Sequence, residues 1–554
     1  MAAHMVNQLR FLRQVTHASS LLPPLHTPCT MHPTPVEQPS FAPIYSLPVE
    51  ILSRIFLLGY SDGIDPAYPY KRNVIEPTLN FEVIVSHVCR HWRDVALRTP
   101  NLWTSIRLRK PAHLHRSSEF VKRSKCAPLD VFIDTVSIND YVPGSNLCIK
   151  EFHDAYMVSE HQSTRWRSLI LKVCDLDCKN AARQHLHSCG PVPKLETLQL
   201  WHLQDWGTSQ NLFTQTAKPP VIILNNYAPS LKNISLVGVN LAWSQSPYVS
   251  GLRNLELALH SKSVRPAVKE WETMLRDCPD LERLSLHYSG PRLDDLTPIT
   301  PIPMLHLSEI SLTDVDPDVS CFALRYLVTP SVRSLELELP DQDFSQFADL
   351  LADPTEPRFP ALERLHVSAL ECSPDSWFNL LKNFRRVTYL YVDFRRVQFA
   401  FYEKLCTKIR YEDQVPPLGA LPQNPTSSGD HHDMERKKNP IYSVLLPNLQ
   451  VFKVAGLESS SLVDFDNFRR HAGYPLDRYI VHKKSREESM DALHALQQLE
   501  YYQDSDDEED EEEDTGLDDE LEEEYEEGSE DTEEHEDSIR HDANESIAED
   551  SSTP

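Results

Sequence analysis

Glycine is scarce in this chain, at 14 of 554 residues. That scarcity works against phosphate-cradling loops, and no P-loop, dinucleotide fingerprint or nucleophile elbow is found. Long apolar runs are also missing. None approaches the ~20 residues that a bilayer-spanning helix needs, and Arg10 and Arg13 interrupt what would be the apolar region of a signal peptide. Cysteine is sparse and irregularly spaced. Its 11 residues read as reduced thiols of a cytoplasmic or nuclear protein, not as a disulfide framework. A basic excess is absent too. The net charge is −29, yet the 28 Asp and Glu from Tyr501 to Pro554 face only Arg540, so the first 500 residues stand near −2. The body therefore lacks the basic footprint of a nucleic-acid binder, and the expectation is no nucleic acid and no membrane.

Composition divides the chain. Residues 1–43 are Pro-rich and free of acid until Glu37, which suits a disordered leader or, alternatively, a mitochondrial presequence. Residues 44–108 are apolar and helix-patterned around a polar insertion at 61–80. Residues 109–500 carry a repeating strand pattern with a polar loop at 411–440, and 501–554 form an acidic tail expected to be disordered. Ser505 and Ser529 precede acidic residues, a context that acidophilic kinases favour. The tail reads as a solubilising segment or as a binder of basic proteins.

Repetition decides the architecture. One template, apolar-x-x-apolar-x-apolar, begins at Trp166, Leu195, Leu231, Leu252, Leu281, Leu307, Val332, Leu362, Val387 and Leu449. The intervals are 29, 36, 21, 29, 26, 25, 30, 25 and 62 residues, the last enlarged by the polar loop. The closing alternation of each copy predicts a short strand. Helical spacing appears between copies: Val268, Trp271, Leu275 and Cys278; Phe344, Phe347 and Leu351; and Trp377, Leu381 and Phe384 after the Ser373-Pro374 start signal. Strand and helix in repeated alternation predict an α/β solenoid with a parallel sheet. A doubly wound set of α/β crossovers is the alternative.

The segment IYSLPVEILSRIFLLG, followed after the insertion by FEVIVSHVCRHWRDVALRTPNLWTSIRL, resembles an F-box. RSKCAPLDVFID and the Cys278-Pro279 strand entry extend the likeness to fungal F-box proteins with irregular leucine-rich repeats. The resemblance implies an N-terminal helical F-box, then an irregular leucine-rich-repeat horseshoe whose first strand is Leu129 to Asp134. It further implies docking on the Skp-type adaptor of a cullin-containing ubiquitin ligase. Leu47, Pro48, Ile51, Leu52, Ile55, Val88 and Trp92 are then the adaptor-contact candidates, and the repeats would hold an unidentified protein substrate. For Ile55, Cys89 and Trp92, packing within the F-box itself is the competing role. Two or three short helices cannot bury both apolar stripes alone, so part of that surface is expected to meet a partner.

No catalytic group or cofactor is expected, since no nucleophile–base set can be assembled. Cys174, Cys178, His185, His187 and Cys189 could supply zinc ligands, but their spacing fits no familiar module, and buried thiols are the preferred reading. A repeat scaffold with no role in ubiquitin transfer is the rival function.

Overall fold

The computed structural model describes residues 47–62, 80–203, 219–293, 300–410, 442–482, 496 and 498–502. The leader, most of the 61–80 insertion, the polar loop and the acidic tail lie outside the described residues. Three helices come first: α1 (Val49–Asp62), α2 (Phe81–Val88) and α3 (Arg90–Leu97). The first four strands are β1 (Ser105–Leu108), β2 (Leu129–Asp134), β3 (Trp166–Val173) and β4 (Thr197–His202). Next come β5 (Asn233–Val237), β6 (Asn254–Ala258), β7 (Arg283–His287), β8 (Glu309–Thr313) and β9 (Ser334–Asp343). The set ends with β10 (Arg364–Glu371), β11 (Tyr389–Asp393), β12 (Val451–Ala455), β13 (Arg478–His482) and β14 (Leu499–Tyr502). All fourteen lie side by side in chain order in one parallel sheet.

Among the described residues, nine helices occupy connections along the sheet. They are α4 (Ala112–Arg123), α5 (Ile149–Glu160), α6 (Leu176–Ser188), α7 (Val268–Arg276) and α8 (Pro317–Tyr326), then α9 (Ser345–Leu351), α10 (Pro374–Asn383), α11 (Phe399–Leu405) and α12 (Ser459–His471). This is an α/β solenoid-like fold. All ten template copies become strands of the sheet, and the three helical stripes become α7, α9 and α10.

The template is visible as a ladder. Ile106, Val131, Leu169, Leu198, Ile234, Leu255 and Leu284 align strand by strand. The row continues through Ile310, Leu335, Leu365, Leu390, Phe452, Tyr479 and Leu499. A second row two residues on runs from Leu108 and Ile133 through Leu171 to Val454 and Val481. Because side chains alternate across a strand, both rows face one side and join the helices in a single continuous core.

Two regular backbone devices hold neighbouring repeats. At the strand entries, one carbonyl takes two amides from the next repeat: Glu196 O accepts from Lys232 and Asn233, and Arg253 O accepts from Glu282 and Arg283. At the exits, Gly238, Leu259, Tyr288 and Asp314 adopt positive φ while their amides donate to a carbonyl of the next strand, Ala258, His287, Thr313 and Glu338 in turn. The start of α10 follows ordinary capping chemistry. The Ser373 hydroxyl accepts from the Ser376 amide at 3.1 Å, with Pro374 in the first turn.

One expectation needs correction. The first strand of the sheet is Ser105–Leu108, not Leu129–Asp134, so the sheet begins inside the expected helical unit of 44–108. Trp103, Ile106 and Leu108 follow the template there, each fully buried. The segment from Phe81 to Leu97 is two helices, because Cys89 is extended (φ −159°, ψ 171°) and caps α3, its Sγ accepting the Trp92 amide. Strands also continue past the last template copy, to β13 and β14. The polar excursion at 411–440 leaves from and returns to an antiparallel pair, Lys408–Arg410 with Tyr442–Val444.

Among the described residues no helix is long and apolar enough to cross a membrane.

Candidate docking surface

The first helix is apolar on two sides, and the fold uses each side differently. Leu52, Phe56 and Tyr60, spaced i, i+4 and i+8, are buried in the common core. Val85 of α2 and Trp92, Val95 and Ala96 of α3 join them, with the Phe56 and Trp92 rings 5.0 Å apart. Gly59 permits the close approach of α1 and α2, since a Cβ there would lie 2.5 Å from the Phe81 ring.

The helical unit is fastened directly to β1. The Tyr60 hydroxyl accepts the Ser105 amide at 3.1 Å, and the Trp103 indole donates to the Ala96 carbonyl at 2.9 Å. Burial raises the Tyr60 phenol to about 12, so it stays protonated. Arg123 of α4 lies over the Trp103 ring, 4.7 Å from its centroid. Burial also raises the Glu82 carboxyl, against the opposing pull of Arg107 and Arg116.

The opposite side of the same helices remains open. Val49, Ile51 and Leu58 of α1 and Ile84 and Val88 of α2 are all exposed, Ile51 at 50% and Val88 at 51%. Of the seven contact candidates, Pro48, Ile51 and Val88 are exposed, and Leu47 and Ile55 are half-buried. Leu52 and Trp92 are core residues, 0% and 5% exposed, and cannot meet a partner without unfolding. The break at Cys89 explains why Val88 and Trp92, four positions apart, fall on different sides. Val49, Leu58 and Ile84 belong to the exposed face but were not singled out from sequence. Their signal was an apolar residue off the buried stripe, which hydrophobicity alone does not distinguish from core.

The sheet face opposite the core is mixed in chemistry. Its central row includes Gln199, Ser235, Glu256, Ser285, Ser311, Glu336, His366, Tyr391 and Lys453, each placed between the two core rows. Trp201 donates through its indole to Ser235 Oγ at 2.7 Å, packing with Val237 and Ala258 in a small separate apolar cluster. Towards the other end, Lys453 Nζ sits 3.6 Å from the Tyr502 ring centroid and 5.0 Å from that of Tyr391. Charged groups along this face pair with one another, as Arg283 with Glu309 (2.8 Å), and His366 Nδ1 lies 3.4 Å from Glu336.

The proposed zinc ligands are dispersed. Cys178 is buried in α6, Cys189 is buried beyond its end, and the His187 ring bonds the Ile222 carbonyl at 2.9 Å. Burial raises the Cys174 and Cys189 thiols to about 11, which holds them in the protonated form. Among the described residues no three or more His, Cys, Asp or Glu gather as metal ligands, and all ten cysteines are free.

Comparison with family models and with curated proteins found no match for this chain.

Proposed function

We propose that the protein is a substrate-recruiting adaptor that works by binding, not by making or breaking bonds. Its F-box-like helices dock on a Skp-type adaptor, its leucine-rich-repeat-like solenoid holds a protein target, and the attached ubiquitin ligase acts by proximity. The observation that carries the reading is the two-sided helical unit. Leu52, Phe56 and Trp92 satisfy the internal core, yet Val49, Ile51, Leu58, Ile84 and Val88 remain as an apolar face with no internal use. The sequence resemblance points to the class of partner, and the exposed face supports docking by these helices.

The mixed face of the sheet suits a protein target. Tyr, Trp and Arg are the residues that interfaces favour, and charged groups there pair with one another.

A second reading has its own support. Capping helices also cover the end of a solenoid, and the bonds from Tyr60 to Ser105 and from Trp103 to Ala96 do cover β1. A scaffold with no role in ubiquitin transfer would use the helices for this alone. Co-purification with a Skp-type adaptor separates the two. The adaptor reading expects capture by the intact chain and loss of capture in Ile51→Glu with Val88→Glu, while a scaffold captures nothing in either form.

A further inference from the structure

The helices packed on the sheet hold a side-chain arrangement that the adaptor reading does not use. His153 of α5 and His185 of α6 come from different repeats, 32 residues apart, and their ring nitrogens Nδ1 and Nε2 converge to 3.2 Å. From sequence, His185 belonged with Cys174, Cys178, His187 and Cys189. The fold instead turns it towards the neighbouring helix.

We propose that His153 Nδ1 and His185 Nε2 form a binding site for a borderline divalent cation of the zinc type, with water completing the coordination. Two imidazole nitrogens on one tetrahedral zinc ion, each bonded at ~2.0–2.1 Å, stand about 3.3–3.4 Å apart. The observed separation is close to that value.

The surroundings of His185 fit the same chemistry. Its other nitrogen, Nδ1, lies 3.8 Å from Glu160 Oε2. That is beyond hydrogen-bond reach, so the carboxylate acts through its charge, which favours a cation beside the histidine pair. The Tyr156 ring stacks on His185 with centroids 4.4 Å apart and holds its plane. His153 is exposed, so an ion can arrive from solvent. With only two protein ligands the site is weaker than a closed four-ligand zinc centre, and it acts as a clip between α5 and α6.

The test uses the full chain, stripped with a chelator and titrated with zinc by calorimetry, beside His153→Ala and Glu160→Gln. His153 is exposed, so its replacement leaves the fold intact, which the zinc-free melting midpoint checks. The proposal expects His153→Ala to bind one equivalent fewer than the intact chain, whatever other histidines take up. It expects Glu160→Gln to weaken that equivalent, because a nearby negative charge is lost. Zinc should also raise the melting midpoint of the intact chain more than that of His153→Ala. Equal stoichiometry and affinity for the intact chain and His153→Ala would overturn it, leaving only a hydrogen bond between two imidazoles.

Discussion

The Ser105 amide donates to the Tyr60 hydroxyl at 3.1 Å, so the first residue of the sheet is tied to the last turns of α1. The N-terminal helices and the sheet therefore share one core and one hydrogen-bonded seam. A partner held on the exposed face of α1 and α2 would stand in fixed geometry to anything held on the sheet.

That seam makes Tyr60→Phe informative. The substitution keeps the ring and removes the acceptor, leaving the Ser105 amide without it. The expected cost is ~1–3 kcal/mol in chemical denaturation. An unchanged midpoint would show that water reaches Ser105 and that the seam is loose.

The two sides of the helical unit should respond in opposite ways. Leu52→Ala and Trp92→Ala create cavities in the shared core and should destabilise by ~2–5 and ~3–5 kcal/mol respectively. Ile51→Glu and Val88→Glu add charge to an exposed face and should shift stability by no more than ~0.5 kcal/mol. Thermal melts of the four variants check this, and comparable losses on both sides would contradict the division.

These pairs also show what was legible in the sequence. The strand template was readable because each copy puts its apolar residues at the same three positions, and the sheet follows those positions in register. The copies ending in Tyr479 and Val481, and in Ile106 and Leu108, were passed over. The first has tyrosine in place of the aliphatic residue, and the second overlaps the Trp103 motif of the helical unit. The positive-φ exits were hidden for a different reason. Gly238, Leu259, Tyr288 and Asp314 share a backbone conformation but no side-chain chemistry. At the docking surface the periodicity identified an apolar segment, but Ile51 and Leu52 are both aliphatic and only the packed fold separates them. The position of Cys89 as a helix break had no glycine or proline to announce it.

Gly456 tests the strand exits. Its φ is +67°, and an added Cβ would fall 2.5 Å from Arg395 Cγ and 2.7 Å from the Arg395 backbone nitrogen. Gly456→Ala should cost ~1–3 kcal/mol, because the backbone atom cannot move aside as a flexible side chain would. A melting midpoint equal to that of the intact chain would mean that the turn relaxes freely.

Buried imidazoles give the protein a pH dependence. His202 and His260 are held at about 3, chiefly by burial, and nearby Lys179 and Arg265 add to the lowering. Their folded values lie below the unfolded ~6.5, so only the unfolded chain takes up protons as the pH falls. The stability that they contribute is complete above about pH 6.5 and is lost as pH falls from there towards about 3, at up to ~1.4 kcal/mol per pH unit for each. Glu82, raised by burial, works in the opposite direction. The comparison is therefore the intact chain against His260→Gln in urea unfolding at pH 7 and pH 5. The variant should lose less stability between the two, and equal losses would show that His260 does not resist protonation in the fold.

The most direct test of the adaptor reading is capture of a purified Skp-type adaptor by the full chain, measured beside Ile51→Glu with Val88→Glu at matched folding. The account predicts stoichiometric capture by the intact chain and at least a tenfold loss of affinity in the variant. Failure of the intact, folded chain to capture the adaptor, or equal capture by the variant, would contradict it.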